Sequence, residues 1–332
     1  MIYRFIPVFS IIVLVILYAP AALGQDTPVC AACGEKVSGD FFETEGVYYH
    51  AKCFRCDFCG KPIPDSFIRY QGKNYHSSCF ENNIALRCDV CGDIITGKYI
   101  SNFWGNSYHP EHDGKEIQCS FCRRFITGEM IEGTIKFKDG RHLCSHCVPT
   151  AVFESEQAKV LMREVAGWLA DFGLKVDPRP IEVHLVNKDA LRRLASGASK
   201  NSQGFVDVEV TQNMSGEIQK QSFRMYLLYG MPRAQMIGTI AHELTHVWQL
   251  LNGGQDENEA ISEGSCNYSV YLVLQKIGTD QADFMIDNML NDTGAVYGKG
   301  LKQIKRYAEA NGLEGWRRLM KERPQGSGMQ MK

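Results

Sequence analysis

The sequence predicts an α+β protein, in which small modules of short β-hairpin knuckles precede a mainly helical domain with a small mixed sheet. Twelve of the 13 cysteines lie between Cys30 and Cys147, as expected for small cysteine-rich modules. From Ala151 onward apolar residues recur at helical spacing, whereas residues 181–186 and 205–210 alternate as strands do. A chain of 332 residues is long enough for both parts.

Residues 30–79 contain four ligand pairs, each with a two-residue spacer. Sixteen residues separate Cys33 from His50, and sixteen separate Cys59 from His76, so the second half repeats the first. Disulfides would not require the histidines, and the spacing therefore favours two closed, structural zinc sites. Their predicted ligands are Cys30, Cys33, His50 and Cys53 for the first site, and Cys56, Cys59, His76 and Cys79 for the second.

Residues 88–147 repeat this pattern less regularly. Six residues separate His112 from Cys119, against two between Cys53 and Cys56. Two more structural zinc sites are expected, which brings the expected number to about four. Their predicted ligands are Cys88, Cys91, His109 and His112 for one site, and Cys119, Cys122, Cys144 and Cys147 for the other.

The stretch from Ala241 to Trp248 reads Ala-His-Glu-Leu-Thr-His-Val-Trp, with two histidines four residues apart. On a helix both imidazoles project from one face, which is the outline of a catalytic zinc site. Apolar residues at helical spacing favour this helix, and Pro232 and Gly253-Gly254 are suited to its start and end. The apolar positions are Ile237, Ile240, Leu244, Val247 and Leu251.

Two histidines need one carboxylate to complete a catalytic site, and we expect Glu263, on the next apolar-periodic segment, to supply it. Glu259, one turn earlier, is the rival ligand. Glu243, next to the first histidine, is expected to act as the general base toward a zinc-activated water. Asn267 is placed either to orient a ligating histidine or to lie at the surface.

An oxyanion formed in such a reaction needs a hydrogen-bond donor. No histidine follows His246, so a downstream imidazole is excluded. We favour Tyr297 because residues 291–300 form a glycine-rich stretch suited to the border of a cleft. Cys266 is expected to be a packed small side chain. The candidate donors are Tyr268, Tyr271, Tyr297 and Tyr307.

Arg4, the apolar run at residues 11–17 and the small residues before Gly24 are typical of a secretory signal at residues 1–24. The protein is thus expected to be exported, either periplasmic or extracellular. The alternative is an uncleaved membrane anchor at residues 5–23. The net charge of −2, without long runs of one sign, gives no reason to expect nucleic-acid binding.

His-Ala-Lys-Cys-Phe-Arg-Cys-Asp-Phe-Cys at residues 50–59 resembles the core of a LIM domain. The less regular second module resembles the LIM-like repeat of the plant LIM-containing peptidases that restrict organ growth. The similarity continues through residues 138–144, 228–233, the histidine helix and residues 263–266. It implies a gluzincin-like zinc endopeptidase acting on protein substrates. His242, Glu243 and His246 match its active-site motif, and Glu263 matches the glutamate-glycine turn downstream.

The chain departs from that family at its start. The plant members are intracellular and carry ubiquitin-interacting helices before the LIM region, whereas a signal-like segment precedes Cys30 here. Ubiquitin-dependent activation is therefore not expected, and an exported prokaryotic relative fits better. The expected segments are a signal peptide or anchor at 1–24, a LIM domain at 30–79, a LIM-like zinc module at 88–147, a zinc metallopeptidase domain at 151–323 and a flexible tail at 324–332.

The favoured hypothesis is an exported zinc endopeptidase with one catalytic zinc ion, whose LIM modules bind a protein partner or the substrate. A LIM-based binding scaffold with an idle peptidase fold is the alternative, and a redox protein using its Cys-x-x-Cys pairs is a third hypothesis. Closed zinc sites have no open coordination position. We therefore expect the region from Thr150 onward to hold the whole active site.

Overall fold

The chain forms two compact units, residues 1–116 and residues 117–332. Their boundary lies inside the region 88–147 that the sequence predicts as one zinc module. The fourth predicted zinc site, which begins at Cys119, is thereby part of the second unit. The computed structural model describes residues 2–6, 11–12, 17–18, 27–44, 46–127, 131–195, 202–212, 218–252 and 259–321.

Short antiparallel strands build the first unit. Its three-stranded sheets have the orders β3-β4-β5, β2-β6-β7 and β1-β8-β9, and the last two strands of each form a hairpin beside a zinc site. One short helix, α1 (Ser77–Asn83), follows the second hairpin. The strands are β1 (Ile2–Ile6), β2 (Ile11–Ile12), β3 (Leu17–Tyr18), β4 (Asp40–Thr44), β5 (Val47–His50), β6 (Phe67–Tyr70), β7 (Lys73–Tyr75), β8 (Gly97–Ser101) and β9 (Ser107–Tyr108).

Aromatic rings fill the small core between the first two zinc sites. Phe54 is fully buried, and its ring lies edge-on to Phe67, with the centroids 4.8 Å apart. Phe42 and Phe80 belong to the same cluster. A module of this size buries little apolar surface, so bound metal is expected to supply part of its folding free energy.

Three parts of the predicted signal segment pair with these hairpins as outer strands. β1 pairs with β8 from Ile2 opposite Ser101 to Ile6 opposite Gly97, while β2 pairs with β6 and β3 with β4. The expected cleavage point after Gly24 lies outside the described residues. Among the helices that the structure describes, none combines the length and the apolar character needed to cross a membrane.

A mixed three-stranded sheet of the order β13-β15-β14 lies in the second unit, as the alternating segments predict. β15 (Ile218–Leu228) is parallel to β13 (Ile181–Val186) and antiparallel to β14 (Gly204–Gln212). Val183 and Met225 point into the core. Two strand pairs are smaller: β10 (Ile135–Lys136) with β11 (His142–Leu143), and β12 (Ala151–Val152) with β16 (Met231–Pro232).

Helices form the remainder of the second unit, which confirms the prediction of a helical region with small sheets. The first ends beside Gly173, whose φ of 84° is a left-handed conformation that favours glycine. The predicted flexible tail lies outside the described residues. The helices are α2 (Ser155–Asp171), α3 (Lys188–Leu194), α4 (Arg233–Leu251), α5 (Glu259–Ile277), α6 (Asp280–Asn291) and α7 (Tyr297–Lys321).

Helix α4 is the predicted histidine helix and is largely buried. It begins directly after Pro232, as expected for a proline at a helix start. Ile237, Ile240 and Leu244 are fully buried, as their spacing predicts. Leu251 is an exception: it is 52% exposed, because the helix ends there. Gly253-Gly254, predicted to close the helix, lies outside the described residues.

Strand β14 lies unusually close to α4. A Cβ atom on Gly204 would lie 2.5 Å from Thr239 Cγ2 and 3.3 Å from Glu243 Cγ. Only glycine fits at this position, since the first distance is far below van der Waals contact. The sheet edge therefore runs directly past the face of α4 that carries Glu243.

Candidate functional site

Helix α4 presents its two histidines side by side. The Nε2 atoms of His242 and His246 are 3.1 Å apart, and the ring centroids are separated by 4.8 Å. This follows from the helical repeat, which places residues i and i+4 on one face. Both side chains are partly buried, with 18% of His242 and 27% of His246 exposed to solvent.

Glu263, on α5, faces both imidazoles. Its Oε2 lies 3.1 Å from His242 Nε2, and its Oε1 lies 3.4 Å from His246 Nε2. Oε2 is buried and accepts no well-formed hydrogen bond from the described residues. Donor atoms around tetrahedral zinc are about 3.3 Å apart, given Zn–N distances near 2.0–2.1 Å. The three side chains therefore fit one zinc ion.

Glu259 does not take this place. It is the first residue of α5 and is exposed, and no described hydrogen bond or ion pair joins it to either imidazole. One turn of helix separates it from Glu263 on the same face of α5, and of the two carboxylates only Glu263 has a described contact with the imidazoles. The structure thus brings together His242, His246 and Glu263, the set favoured by the sequence.

The charges at this cluster depend on each other. Burial disfavours ionisation of Glu263, yet the nearby imidazoles of His242 and His246 lower the pKa of its carboxyl well below the usual range. Burial likewise disfavours a charged His246, but the carboxylates of Glu263 and Glu243 raise the pKa of this imidazole above its usual value. A metal ion at this point would therefore displace a proton from His246.

Two amide side chains fix the outer nitrogens of the histidines. His242 Nδ1 lies 3.2 Å from Asn267 Oδ1, the contact that the sequence left open. His246 Nδ1 lies 3.2 Å from Gln249 Oε1, and Ser262 holds Gln249 through two hydrogen bonds of 3.2 Å. These bonds leave Nε2 of each ring directed at the shared point. The sequence analysis missed Gln249, although its position one turn after His246 was an available signal.

Cys266 is fully buried beside the same imidazole. Its Sγ lies 3.4 Å from His246 Nδ1, and the thiol donates to Gln249 Oε1 at 3.6 Å. His242, His246 and Cys266 together form a possible ligand group. The sulfur, however, lies against the ring nitrogen that faces away from Glu263. It is therefore poorly placed to share an ion with the two Nε2 atoms and the carboxylate.

Glu243 lies next to the histidines and is 7% exposed. Burial raises the pKa of its carboxyl, whereas His242, His246 and a hydrogen bond from the Val206 N–H act in the opposite direction. Val206 belongs to β14, so the sheet edge helps to orient this side chain. A shielded carboxylate beside the ligand set is suited to accept a proton.

Tyr297, the first residue of α7, lies at the edge of this cluster. Its backbone oxygen accepts a hydrogen bond from Asn267 Nδ2 at 3.4 Å, and its side chain is 43% exposed. Burial raises the pKa of its phenol, and so does the carboxylate of Glu263. Tyr268, by contrast, packs edge-on against Trp316 at 4.9 Å, and Tyr271 lies under the Lys305 ammonium.

The fourth candidate donor is Tyr307, on the same helix as Tyr297. Its backbone oxygen accepts a hydrogen bond of 2.9 Å from Asn311 Nδ2. This contact is internal to α7 and involves none of the predicted ligands. Of the four tyrosines, Tyr297 is the one with a described contact to a partner of the histidine pair.

The cysteine-rich region contains four ligand clusters that match the predicted sets. His50 Nδ1 lies 3.4 Å from Cys33 Sγ, and His76 Nδ1 lies 3.5 Å from Cys59 Sγ. The opposite nitrogens lie 3.2 Å from the Lys36 oxygen and 3.0 Å from the Pro62 oxygen, which orients both rings in the same way. This shared geometry reflects the sequence repeat.

The other two clusters differ in burial. In the third, His109 Nδ1 lies 3.6 Å from Cys91 Sγ. In the fourth, all four cysteines are buried, with 3.5 Å between the Cys122 and Cys144 sulfurs. Sulfurs around tetrahedral zinc lie about 3.8 Å apart, whereas bonded sulfurs lie about 2 Å apart. No disulfide joins any of the 13 cysteines, all of which are described residues.

Comparison with known proteins finds two families that match parts of this chain. Residues 30–68 match the LIM domain family. Residues 200–282, which include α4 and the whole of α5, match the family described as Protein DA1. The chain carries a LIM domain and a DA1-like region. The Cys/His clusters together with the LIM match indicate zinc binding.

Plant proteins are similar over a larger part of the chain. LIM domain-containing protein HDR3 of Oryza sativa subsp. japonica is 28% identical over 288 residues, which cover 74% of this chain and 56% of HDR3. Protein DA1-related 2 and Protein DA1 of Arabidopsis thaliana are 25% and 24% identical, and in each case 74% of this chain and 53% of the relative are covered. The chain thus spans about half the length of these homologues.

Proposed function

We propose that this chain is a zinc-dependent endopeptidase that cleaves protein substrates, and that its LIM modules bind a partner or the substrate. One observation carries the proposal: His242, His246 and Glu263 converge on a single point beside the buried Glu243. Two imidazoles, one carboxylate and a neighbouring general base form the ligand and base set of a catalytic zinc site. The similarity to Protein DA1 in this region supports the proposal.

The residues divide the chemistry between them. Bound zinc would supply Lewis acidity and lower the pKa of a water molecule toward about 7. Glu243 takes the proton as that water attacks the peptide carbonyl, and it then protonates the leaving amine. The Tyr297 hydroxyl donates a hydrogen bond to the developing oxyanion. Asn267 and Gln249 hold the two imidazoles in the orientation that the site requires.

Strand β14 is suited to align an extended peptide. It is an outer strand of its sheet, where it pairs with β15, and it passes Glu243 at Gly204 and Val206. A peptide can add to such an edge through main-chain hydrogen bonds, which are independent of side-chain identity. We propose that the substrate enters in this way, which fits an endopeptidase acting on unfolded segments.

Metal analysis combined with cleavage of a proteome-derived peptide library tests the proposal. We expect the purified, zinc-loaded chain to cut peptides internally, and we expect a chelator to stop cleavage until zinc is restored. If the His242 site holds zinc and no peptide is cut, the proposal is wrong. The LIM match favours a binding scaffold in that case, since LIM domains commonly mediate protein–protein contacts.

We further propose that the protein acts outside the cytosol, on the basis of the apolar segment before Gly24. Removal of that segment would also remove the pairings of β1, β2 and β3. Amino-terminal sequencing of the protein from its native host tests this. A mature chain that begins at Gln25 supports export, whereas an unprocessed chain in the cytosol contradicts it.

A further inference from the structure

The fourth zinc site contains a buried ion pair that the proposed chemistry does not use. Asp139 and Arg141 are 4% and 5% exposed, and Arg141 binds both carboxylate oxygens at 2.9–3.1 Å. The pair occupies the loop between β10 and β11, just before Cys144. The arginine lowers the pKa of Asp139, although burial alone would raise it. A buried pair of this kind persists only where further hydrogen bonds satisfy both partners.

Those further hydrogen bonds reach across to the helical part of the unit. Arg141 Nη1 donates to the Tyr229 oxygen at 2.8 Å, and Asp139 Oδ2 accepts from the Lys188 N–H at 3.0 Å. Tyr229 N–H in turn donates to the Val186 oxygen at 2.8 Å. The ion pair therefore connects the fourth zinc site to the carboxyl ends of both β13 and β15.

The aromatic ring of Phe137 packs against the same turn, Tyr229–Gly230. The Arg141 guanidinium lies 4.4 Å from the centroid of Phe137, whose ring meets Tyr229 edge-on at 6.1 Å. A Cβ atom on Gly230 would lie 2.6 Å from the Phe137 ring, and Gly230 has a φ of 75°. Only glycine permits this approach, so the Phe137 ring beside the fourth zinc site packs directly on the backbone of the Tyr229–Gly230 turn.

This turn leads directly into the histidine helix. Gly230 is followed by β16 and then by α4, and β16 pairs with β12, which starts four residues after Cys147. Helix α6 also connects this zinc site to α4. Gln281 Nε2 of α6 lies 3.9 Å from Cys147 Sγ. On the same helix, Met285 packs closely against Gly238 of α4, where a Cβ atom would lie 2.9 Å from the Met285 Cε. The fourth zinc site thus contacts the turn before α4 directly and is connected to Gly238 within α4 through α6.

We propose that the fourth zinc site is a positioning element of the histidine helix, acting through Arg141. Closed by its metal, the knuckle holds Arg141 and Phe137 against the Tyr229–Gly230 turn and so sets the position in which α4 presents His242 and His246. Arg141 is a positioning residue, because it touches neither substrate nor metal ligand. The zinc-affinity and catalytic readouts of this inference rest on the proposed function, whereas the hydrogen-exchange readout does not.

The chain offers a matched control for the test. Asp177 and Arg179 form the same Asp-x-Arg fork, with Nε and Nη2 contacts of 2.7–3.1 Å, but Arg179 is 84% exposed and its described hydrogen bonds are confined to that fork. We compare Arg141→Met and Arg141→Lys with Arg179→Met in the full-length protein. Lysine keeps a charge opposite Asp139 but loses the planar fork that also reaches Tyr229, so this variant is expected to fold.

Two readouts do not depend on peptide cleavage. Hydrogen exchange of amides in residues 233–246 should become about tenfold faster in both Arg141 variants. Chelator competition should show zinc at the His242 site bound about tenfold more weakly, the lower end of the range for losing a residue that bonds directly to a metal ligand. That zinc ion is identified by its absence from His246→Ala. With an unstructured peptide kcat should fall while KM changes little, and Arg179→Met should match the parent throughout.

The outcomes separate the two proposals. Parent-like exchange and zinc affinity in a folded Arg141→Lys protein would overturn the positioning role. If Arg141→Met fails to fold while Arg141→Lys behaves as the parent, Arg141 contributes only to stability, and the inference is again wrong. Faster exchange in α4 with weaker zinc binding supports the inference even if the parent cuts no peptide. In that case only the proposed peptidase function fails.

Discussion

Glu243 is a buried carboxylate of the proposed site and lies beside two imidazoles. We expect Glu243→Gln to retain the fold and all bound zinc but to lower turnover by several orders of magnitude, because an amide cannot accept the proton. Zinc analysis and a peptide assay measure the two effects separately. Glu182→Gln, an exposed glutamate on β13, is the control. Cleavage by Glu243→Gln at the parent rate would mean that another group is the base.

The two candidate carboxylates of α5 are distinguished by their position. Glu263 lies 3.1–3.4 Å from both imidazoles, whereas Glu259 is exposed at the helix start. We expect Glu263→Ala to weaken zinc binding at the His242 site strongly and Glu259→Ala to leave it unchanged. Competition with a chelator compares the two variants. Zinc loss from the Glu259 variant alone would reverse the assignment.

Cys266 and Gln249 share one nitrogen of His246, but they differ in chemistry. Nδ1 lies 3.2 Å from the Gln249 oxygen and 3.4 Å from the Cys266 sulfur. An amide oxygen accepts a hydrogen bond better than a thiol does. We therefore expect Cys266→Ala to keep turnover within a few-fold of the parent and Gln249→Leu to lose more, as measured by kcat with zinc content checked. Abolished turnover in a zinc-loaded Cys266→Ala protein would give the thiol a direct role.

At the scale of elements, two glycines allow α7 to approach α5. A Cβ atom on Gly264 would lie 2.6 Å from the Gly300 carbonyl carbon, and one on Gly300 would lie 2.6 Å from the Ala260 oxygen. Glu263 directly precedes Gly264, and Tyr297 lies three residues before Gly300. The close approach of these helices therefore sets the distance between the backbone that carries Glu263 and the first turn of α7, which begins at Tyr297.

This contact leads to a stability prediction with a control on another helix. Gly264→Ala should lower the free energy of unfolding by about 1–3 kcal/mol, because the added methyl group meets backbone that cannot move aside. Gly167→Ala, at an exposed position of α2 with no neighbour within 4 Å, should raise it by about 0.5–1 kcal/mol. Denaturant unfolding of both variants measures this. A neutral Gly264→Ala would show that the helices can separate.

At the scale of the whole molecule, metal content follows the two units. Four cysteine-containing clusters and one histidine–glutamate site predict about five zinc ions per chain. Residues 117–332, which hold the fourth cluster and the His242 site, should bind two. Elemental analysis of the full chain and of a protein that contains only residues 117–332 measures the two metal contents. One metal per full chain, without free thiols after denaturation, would mean that the cysteines are oxidised to disulfides.

The sequence alone favours a division of the chain near Thr150, with the whole active site after it. In the structure, residues 117–150 belong to the same compact unit as α4, and Arg141 and Phe137 pack against the turn before that helix. A chain that begins at Ile117 is therefore a better candidate than one that begins at Thr150 for cleaving an unstructured peptide. Loss of LIM docking in the former should appear mainly in KM, since remote contacts bind the ground and transition states equally.

Local patterns in the sequence determined the ligand sets and the histidine helix of this protein. The spacing of Cys30, Cys33 and their equivalents is a property of single knuckles, and the pair His242 and His246 needs only a helical repeat, so neither depends on distant parts of the chain. Strand β13 likewise begins and ends where its alternating residues do.

Only the tertiary structure decided which side chains meet across elements. The hydrogen bond between Gln249 and Ser262, the position of Glu263 rather than Glu259 opposite the imidazoles, and the pairing of β1 with β8 all depend on how separate elements pack. Packing also places the fourth zinc site in the second unit. There the buried Arg141 bonds to the oxygen of Tyr229, 88 residues further along the chain. Such contacts depend on the burial and crossing of elements far apart in the chain, and no local residue pattern records them.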